Sequence, residues 1–159
     1  MTGLVQPFIS TVPGSLDSKG RVCIPATHRH LLVAQNTTGV YVCPSFAEFA
    51  LEAFGQSVIE TLHARLSTQD PFFSPVHDDE ATAVISRTQL LVADEQGRVR
   101  LPDAMIEHAK LKDRIAFVGL AQKFQIWDAD TYAPIQAEAL ARMKARLERA
   151  RLAAQGGDA

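Results

Sequence analysis

Asp17-Ser18-Lys19-Gly20-Arg21-Val22-Cys23-Ile24-Pro25 and Asp94-Glu95-Gln96-Gly97-Arg98-Val99-Arg100-Leu101-Pro102 are one phrase written twice, at a constant offset of 77. Asp, Gly, Arg, Val and Pro are identical in the two copies, and the residue before Pro is Ile in one and Leu in the other. The physics of the phrase is local. An Asp side chain accepts backbone N–H groups two or more residues ahead and closes a turn. Gly three positions later suits a left-handed backbone, as in hairpins built from a type I turn and a bulge. Val-x-Ile/Leu then resumes an alternating strand, and Pro ends it for want of an N–H. Each copy therefore predicts a tight hairpin that displays its Arg, Arg21 or Arg98, near the tip. Asp17, Gly20, Asp94 and Gly97 shape the two loops. One such loop by itself reads as an ordinary turn with Arg paired to its own Asp; two in matching context are far more specific.

Working outward, each copy follows an apolar or β-branched stretch, Ile9 to Leu16 and Thr88 to Ala93. Each precedes a short helical pattern and then a β-like run, Val40 to Cys43 and Ile115 to Val118. The reading is α+β: a β-rich unit over 8–54, a helical connector over 55–87, a second unit over 88–132, and a basic helix with its tail over 133–159. In the connector, Phe54, Val58, Leu62 and Leu66 recur at every fourth residue and predict an amphipathic helix. Asp70-Pro71 and Ser74-Pro75 break it, and a second short helix is predicted from near Asp78. Lys123 to Trp127 alternates as a strand. Asp130 or Thr131 is the expected cap of the last helix, with Pro134 in its first turn, and 156–159 is expected to fray.

Charge is unevenly placed. The 159 residues sum to −2, but residues 1–44 carry +2, residues 45–95 carry −7 and residues 96–159 carry +3. An anionic partner such as DNA is expected to meet the two flanking segments, since phosphate neutralisation dominates such affinities. Arg142, Lys144, Arg146, Arg149 and Arg151 make the last helix basic. It reads as a solvated face, or as one that touches phosphates or the acidic middle of a neighbour.

Catalytic and metal readings find little support. No Gly-x-Ser-x-Gly elbow, phosphate-binding glycine loop or dinucleotide fingerprint is present. His28 and His30 are two apart on a predicted helix and point to different faces, so neither a metal site nor a cofactor is expected. Asp78-Asp79-Glu80 suits a helix N-terminus, and Phe117, Phe124 and Trp127 read as core. Two cysteines make no disulfide framework. No apolar run reaches the roughly 20 residues of a membrane helix, and the first basic residue is Lys19, so no signal peptide is expected. The expected location is the cytoplasm, with no membrane, no small-molecule substrate and no enzymatic activity.

The doubled Asp-x-x-Gly-Arg loop resembles that of the MraZ family, of the SpoVT/AbrB-like class. The run Val118-Gly119-Leu120 through Lys123-Phe124-Gln125-Ile126-Trp127-Asp128 resembles the family's strand–turn–strand after its second copy. The resemblance extends from about Phe8 to Tyr132. It implies two swapped-hairpin units interleaved in a small β-barrel within one chain, and a ring-shaped homo-oligomer at the nucleoid. It also implies binding to short direct repeats in the promoter of the division and cell-wall gene cluster, its own gene included, usually as a repressor. Carried over by position, the candidate DNA contacts are Lys19 and Arg21 in the first loop and Arg98 in the second, with Arg100 beside it. The second loop departs by carrying Glu95-Gln96 in place of Ser18-Lys19, which weakens its pull on DNA. The stretch from Leu31 to Val40 is short for the family and leaves one strand of the first unit unplaced. A different class stays open: a non-catalytic, antitoxin-like scaffold of the same fold that binds protein.

Overall fold

Gly20 and Gly97 take φ of 78° and 79°, the left-handed conformation that a Cβ makes costly. The Gly20 N–H donates to the Asp17 carbonyl at 3.1 Å and the Gly97 N–H to that of Asp94 at 3.0 Å. Both tight turns form as the sequence predicts, but the strands leaving them do not fold back as ordinary hairpins. In the computed structural model, which describes residues 5–157, strand β1 (Thr11–Ser15) and return strand β2 (Arg21–Cys23) share only the Leu16–Val22 bridge. The ladder of β2 is with β6 (Arg98–Arg100), the return strand of the other copy, in the register Arg21–Arg100, Val22–Val99 and Cys23–Arg98.

The remaining strands are β3 (Gly39–Pro44), β4 (Leu51–Phe54), β5 (Gln89–Val92), β7 (Arg114–Leu120) and β8 (Lys123–Asp128). With β1 they make an antiparallel sheet of order β1-β7-β8-β4-β3-β5. Exchanging β1 with β5, β3 with β7 and β4 with β8 turns that order into its own reverse. The two copies are thus related by an approximate two-fold axis between β4 and β8. Only the β3–β4 and β7–β8 hairpins stay within a copy. The β1–β7, β3–β5, β4–β8 and β2–β6 pairings all cross between copies.

The class is α+β, but the barrel implied by resemblance does not close among the described residues. β1 and β5 lie at opposite edges of the sheet, and β2–β6 is a separate ribbon. Each return strand is three residues long, and after one further bond each, from Ile24 N–H to Gly97 and from Leu101 N–H to Gly20, Pro25 and Pro102 have no N–H to continue a ladder.

One core lies between ribbon and sheet. Val22, Ile24, Val99 and Leu101 project from the ribbon onto Phe117, Phe124 and Ile126. The other sheet face buries Ala116, Val118 and Trp127 under Tyr132 and Ile135. Phe117, Phe124 and Trp127 are core, as their strand pattern predicts.

Helices α1 (Ala26–Ala34) and α4 (Asp103–Ala109) come after the two return strands. α2 (Gln56–Leu66), α3 (Pro75–Ala83) and a 3-10 turn (Ile85–Arg87) link the copies, and α5 (Ala129–Gly156) succeeds β8. Three expectations give way to the structure. Phe54 closes β4 and does not open the helix. α3 starts at Pro75, not near Asp78: the Ser74 hydroxyl accepts the His77 N–H at 3.2 Å, and Pro75 stands where an N–H is not needed. α5 is capped by Asp128, whose carboxylate accepts the Thr131 N–H at 3.2 Å, not by Asp130 or Thr131. The helix therefore starts directly off β8, and Pro134 falls in its second turn. Of the tail expected to fray, Gly156 ends α5, Gly157 caps it, and residues 158 and 159 lie outside the described residues.

Candidate nucleic-acid interface

Side chains alternate across a strand, and directly opposed residues share a face. On the β2–β6 ribbon Val22 and Val99 point into the core, each 1% exposed. Arg21, Cys23, Arg98 and Arg100 therefore share the opposite, outward face. The swap brings three of the four sequence-predicted cations onto one short ribbon, and Lys19 stands exposed at the adjoining tip.

Each loop orients its arginine through its own aspartate. One carboxylate oxygen of Asp17 accepts the backbone N–H of Lys19 at 2.9 Å and of Arg21 at 2.8 Å. The other accepts Arg21 Nε at 2.8 Å. Asp94 does the same for Gln96, Arg98 and Arg98 Nε, at 2.9, 2.9 and 2.8 Å. In both aspartates the backbone N–H of the arginine is the foremost cause of a lowered pKa, opposed by desolvation and helped by the guanidinium. The side chains of Arg21 and Arg98 remain 28% and 36% exposed.

The ordinary reading of these loops, Arg held by its own Asp, is thus realised, and it does not remove the arginines from solvent. Pairing through Nε fixes the guanidinium plane and leaves the two terminal nitrogens, the fork that engages a planar acceptor pair. The two loops differ at this point. Arg98 spends one terminal nitrogen on Gln96 Oε1 at 3.1 Å, whereas Asp17 takes only Nε of Arg21.

The ribbon's ends also differ. Arg21 faces Arg100 at one end, with Lys19 beyond. At the other, Arg98 faces Cys23 beside Glu95 and Gln96, and the Cys23 thiol lies 3.5 Å from the Gln96 carbonyl. The approximate two-fold sets Cys23 against Arg100 and Lys19 against Gln96, so cationic charge gathers at the first-loop end.

Sequence reasoning passed over Arg29. It projects from α1 against Gly97, where a Cβ would overlap its guanidinium, and its buried Nε has no hydrogen-bond partner among the described residues. The symmetry-related position is Ile106, against Gly20. Arg29 adds positive charge under the loop that carries Glu95-Gln96. Its signal was the offset of 77 from Ile106, which shows only once the copies are known to interlock.

His28 and His30 diverge as expected. His28 is 1% exposed, with its ring centroid 5.3 Å from Phe8 and 4.7 Å from Phe124, while His30 is exposed. Among the described residues no cluster of three or more potential ligands could hold a metal. No helix among them is long and apolar enough to cross a membrane.

The class of protein so defined is a tandem swapped-hairpin chain presenting one cationic two-stranded ribbon. A family model described as "MraZ protein, putative antitoxin-like" matches residues 84–154. Relatives named "Transcriptional regulator MraZ" are similar over most of the chain. That of Xanthobacter autotrophicus is 38% identical over 137 residues, 86% of this chain and 87% of its own length. Those of Azorhizobium caulinodans and Gluconacetobacter diazotrophicus are 37% and 39% identical over 151 and 153 residues, covering 95% and 94% of this chain and 94% and 96% of theirs. The chain belongs to the MraZ family.

Proposed function

We propose that this chain is a non-enzymatic, DNA-binding transcriptional regulator that reads the major groove with its β2–β6 ribbon. The observation that carries the reading is the shared outward face of Arg21, Arg98 and Arg100. A two-stranded ribbon fits a groove about 12 Å wide, and β-ribbon readers enter DNA in this manner. Arg21, held by Nε and forked toward solvent, pairs with guanine O6 and N7. Lys19 and Arg100 hold phosphates beside it, and Arg98, with one nitrogen on Gln96, contributes less. The names of the relatives support the same reading.

The finer reading is a homo-oligomeric ring, cytoplasmic and nucleoid-associated, that represses the division and cell-wall gene cluster by engaging direct repeats in its promoter. One ribbon is small, and several on one assembly gain affinity by effective concentration.

The test is a gel shift on DNA from upstream of the chain's own gene, repeated across a salt series. With Lys19 and Arg100 on phosphates, about two per ribbon, affinity falls roughly 10-fold between 50 and 200 mM salt. Salt-insensitive retention would favour a protein-binding scaffold, the reading that the family description's "antitoxin-like" supports.

A further inference from the structure

Gln96 stands exposed at the tip of the second loop, with its side chain turned onto Arg98. Its Oε1 accepts Arg98 Nη2 at 3.1 Å, while Asp94 accepts Nε of the same guanidinium at 2.8 Å. Arg98 is thus held on two sides, at Nε and at one of its two terminal nitrogens. At the corresponding place in the first loop stands Lys19, 77 positions earlier. An ammonium has no acceptor to offer, and the Arg21 side chain is held by Asp17 through Nε. The approximate two-fold therefore relates two arginines in different states, and Gln96 makes the difference.

Base edges turn that difference into selectivity. In the major groove guanine offers two acceptors, O6 and N7, whereas adenine offers N7 beside an amino donor. An arginine with both terminal nitrogens at hand pairs with both guanine atoms and discriminates against adenine. With one terminal nitrogen on an amide, the guanidinium brings a single free nitrogen to the groove. N7 satisfies it equally well on either purine. Arg98 reaches guanine O6 as well only by giving up Gln96. A hydrogen bond to a charged group and a bidentate base contact are of the same order of strength, so the exchange gains little.

We infer that Gln96 is a specificity-determining residue that acts through Arg98. By holding one terminal nitrogen it makes the second-loop end of the ribbon a reader of purines, while the first-loop end reads guanine. Gln96 is a positioning residue in this role and need not touch DNA itself. The inference rests on the DNA reading proposed above and adds to it the base class read at each end.

Selection of bound duplexes from a randomised pool tests it, using the wild type, Arg21→Ala, Arg98→Ala, Gln96→Leu and Gln96→Glu. The position whose preference is lost in Arg98→Ala is the one that Arg98 reads. The wild type is expected to accept guanine and adenine there within about 2-fold, since both present N7. Gln96→Leu removes the acceptor without adding charge. It should favour guanine at that position by roughly 5- to 150-fold, the worth of a bidentate contact, and leave the Arg21 position as it was. Gln96→Glu keeps an acceptor on the arginine and should retain the tolerance, with weaker binding overall. In Gln96→Leu/Arg98→Ala the gain should vanish. The Gln96 N–H donates to Asp94 from the backbone and survives every substitution of the side chain, and circular dichroism checks that each variant folds. An unchanged tolerance in Gln96→Leu overturns the inference. So does a wild type that already demands guanine at the Arg98 position, or a pool in which no position depends on Arg98. A wild type that recovers no motif, or an Arg21→Ala that selects as the wild type does, overturns the DNA reading itself and this inference with it, so the two failures are told apart.

Discussion

Arg21 is engaged at one nitrogen and forked at two, and its value lies in that division. Arg21→Ala is expected to cost about 1–3 kcal/mol per lost base contact and to relax specificity, read as a gel-shift difference between operator and scrambled DNA. Arg98→Ala should cost less in the same assay, since Gln96 already holds one of its nitrogens. A second residue, His28, makes stability depend on pH. Burial lowers its pKa from 6.5, and its Nε2 has no hydrogen-bond partner among the described residues. The unfolded chain takes up a proton that the folded one refuses. Its contribution to stability is therefore complete above about pH 6.5 and falls away as pH drops below that value. His28→Phe should flatten this part of the pH–stability curve, measured by urea unfolding from pH 7.5 to 5.5. At this scale the sequence was informative: Asp17, Gly20, Asp94 and Gly97 do what their chemistry predicts, because a turn is settled by neighbours along the chain. Arg29 was not legible, because its contact with Gly97 joins the two copies and no local spacing encodes it.

The ribbon shows where local chemistry stops deciding. The loop phrase is compatible with a return strand that pairs with its own β1 or with its counterpart, and turn residues are silent on the choice. Only the whole sheet settles it, by giving β1 to β7 and β5 to β3. β4 was hidden for a related reason. Phe54 falls in step with the every-fourth pattern of α2 and mimics its first turn, while Leu51, Ala53 and Phe54 are buried between β3 and β8. The loops themselves make a graded prediction. Gly20→Ala forces a Cβ into the left-handed region, at about 1–2 kcal/mol. Gly97→Ala carries the same cost and must also displace Arg29, so it should lower the urea midpoint further.

At the level of the molecule, four of the six strand pairings cross between the copies, so neither copy keeps more than a two-stranded hairpin of its own. Residues 1–87 and 88–159 expressed separately are expected to lack cooperative unfolding, and to recover it when mixed, as followed by circular dichroism. Independent folding of either piece would contradict the interlocked arrangement. The segmental charge pattern was legible from the sequence, whereas the gathering of cations at one end of the ribbon was not, because it depends on which residues face each other. That inequality has a consequence for the target. A reader assembled from two separate, identical chains must treat both halves of its site alike, and so is suited to palindromes. Tandem fusion lifts the obligation: Cys23 stands where Arg100 stands in the other half, giving the ribbon a front and a back. Such a reader settles on the duplex in one polarity, and successive sites for it are expected to run head to tail along a single strand.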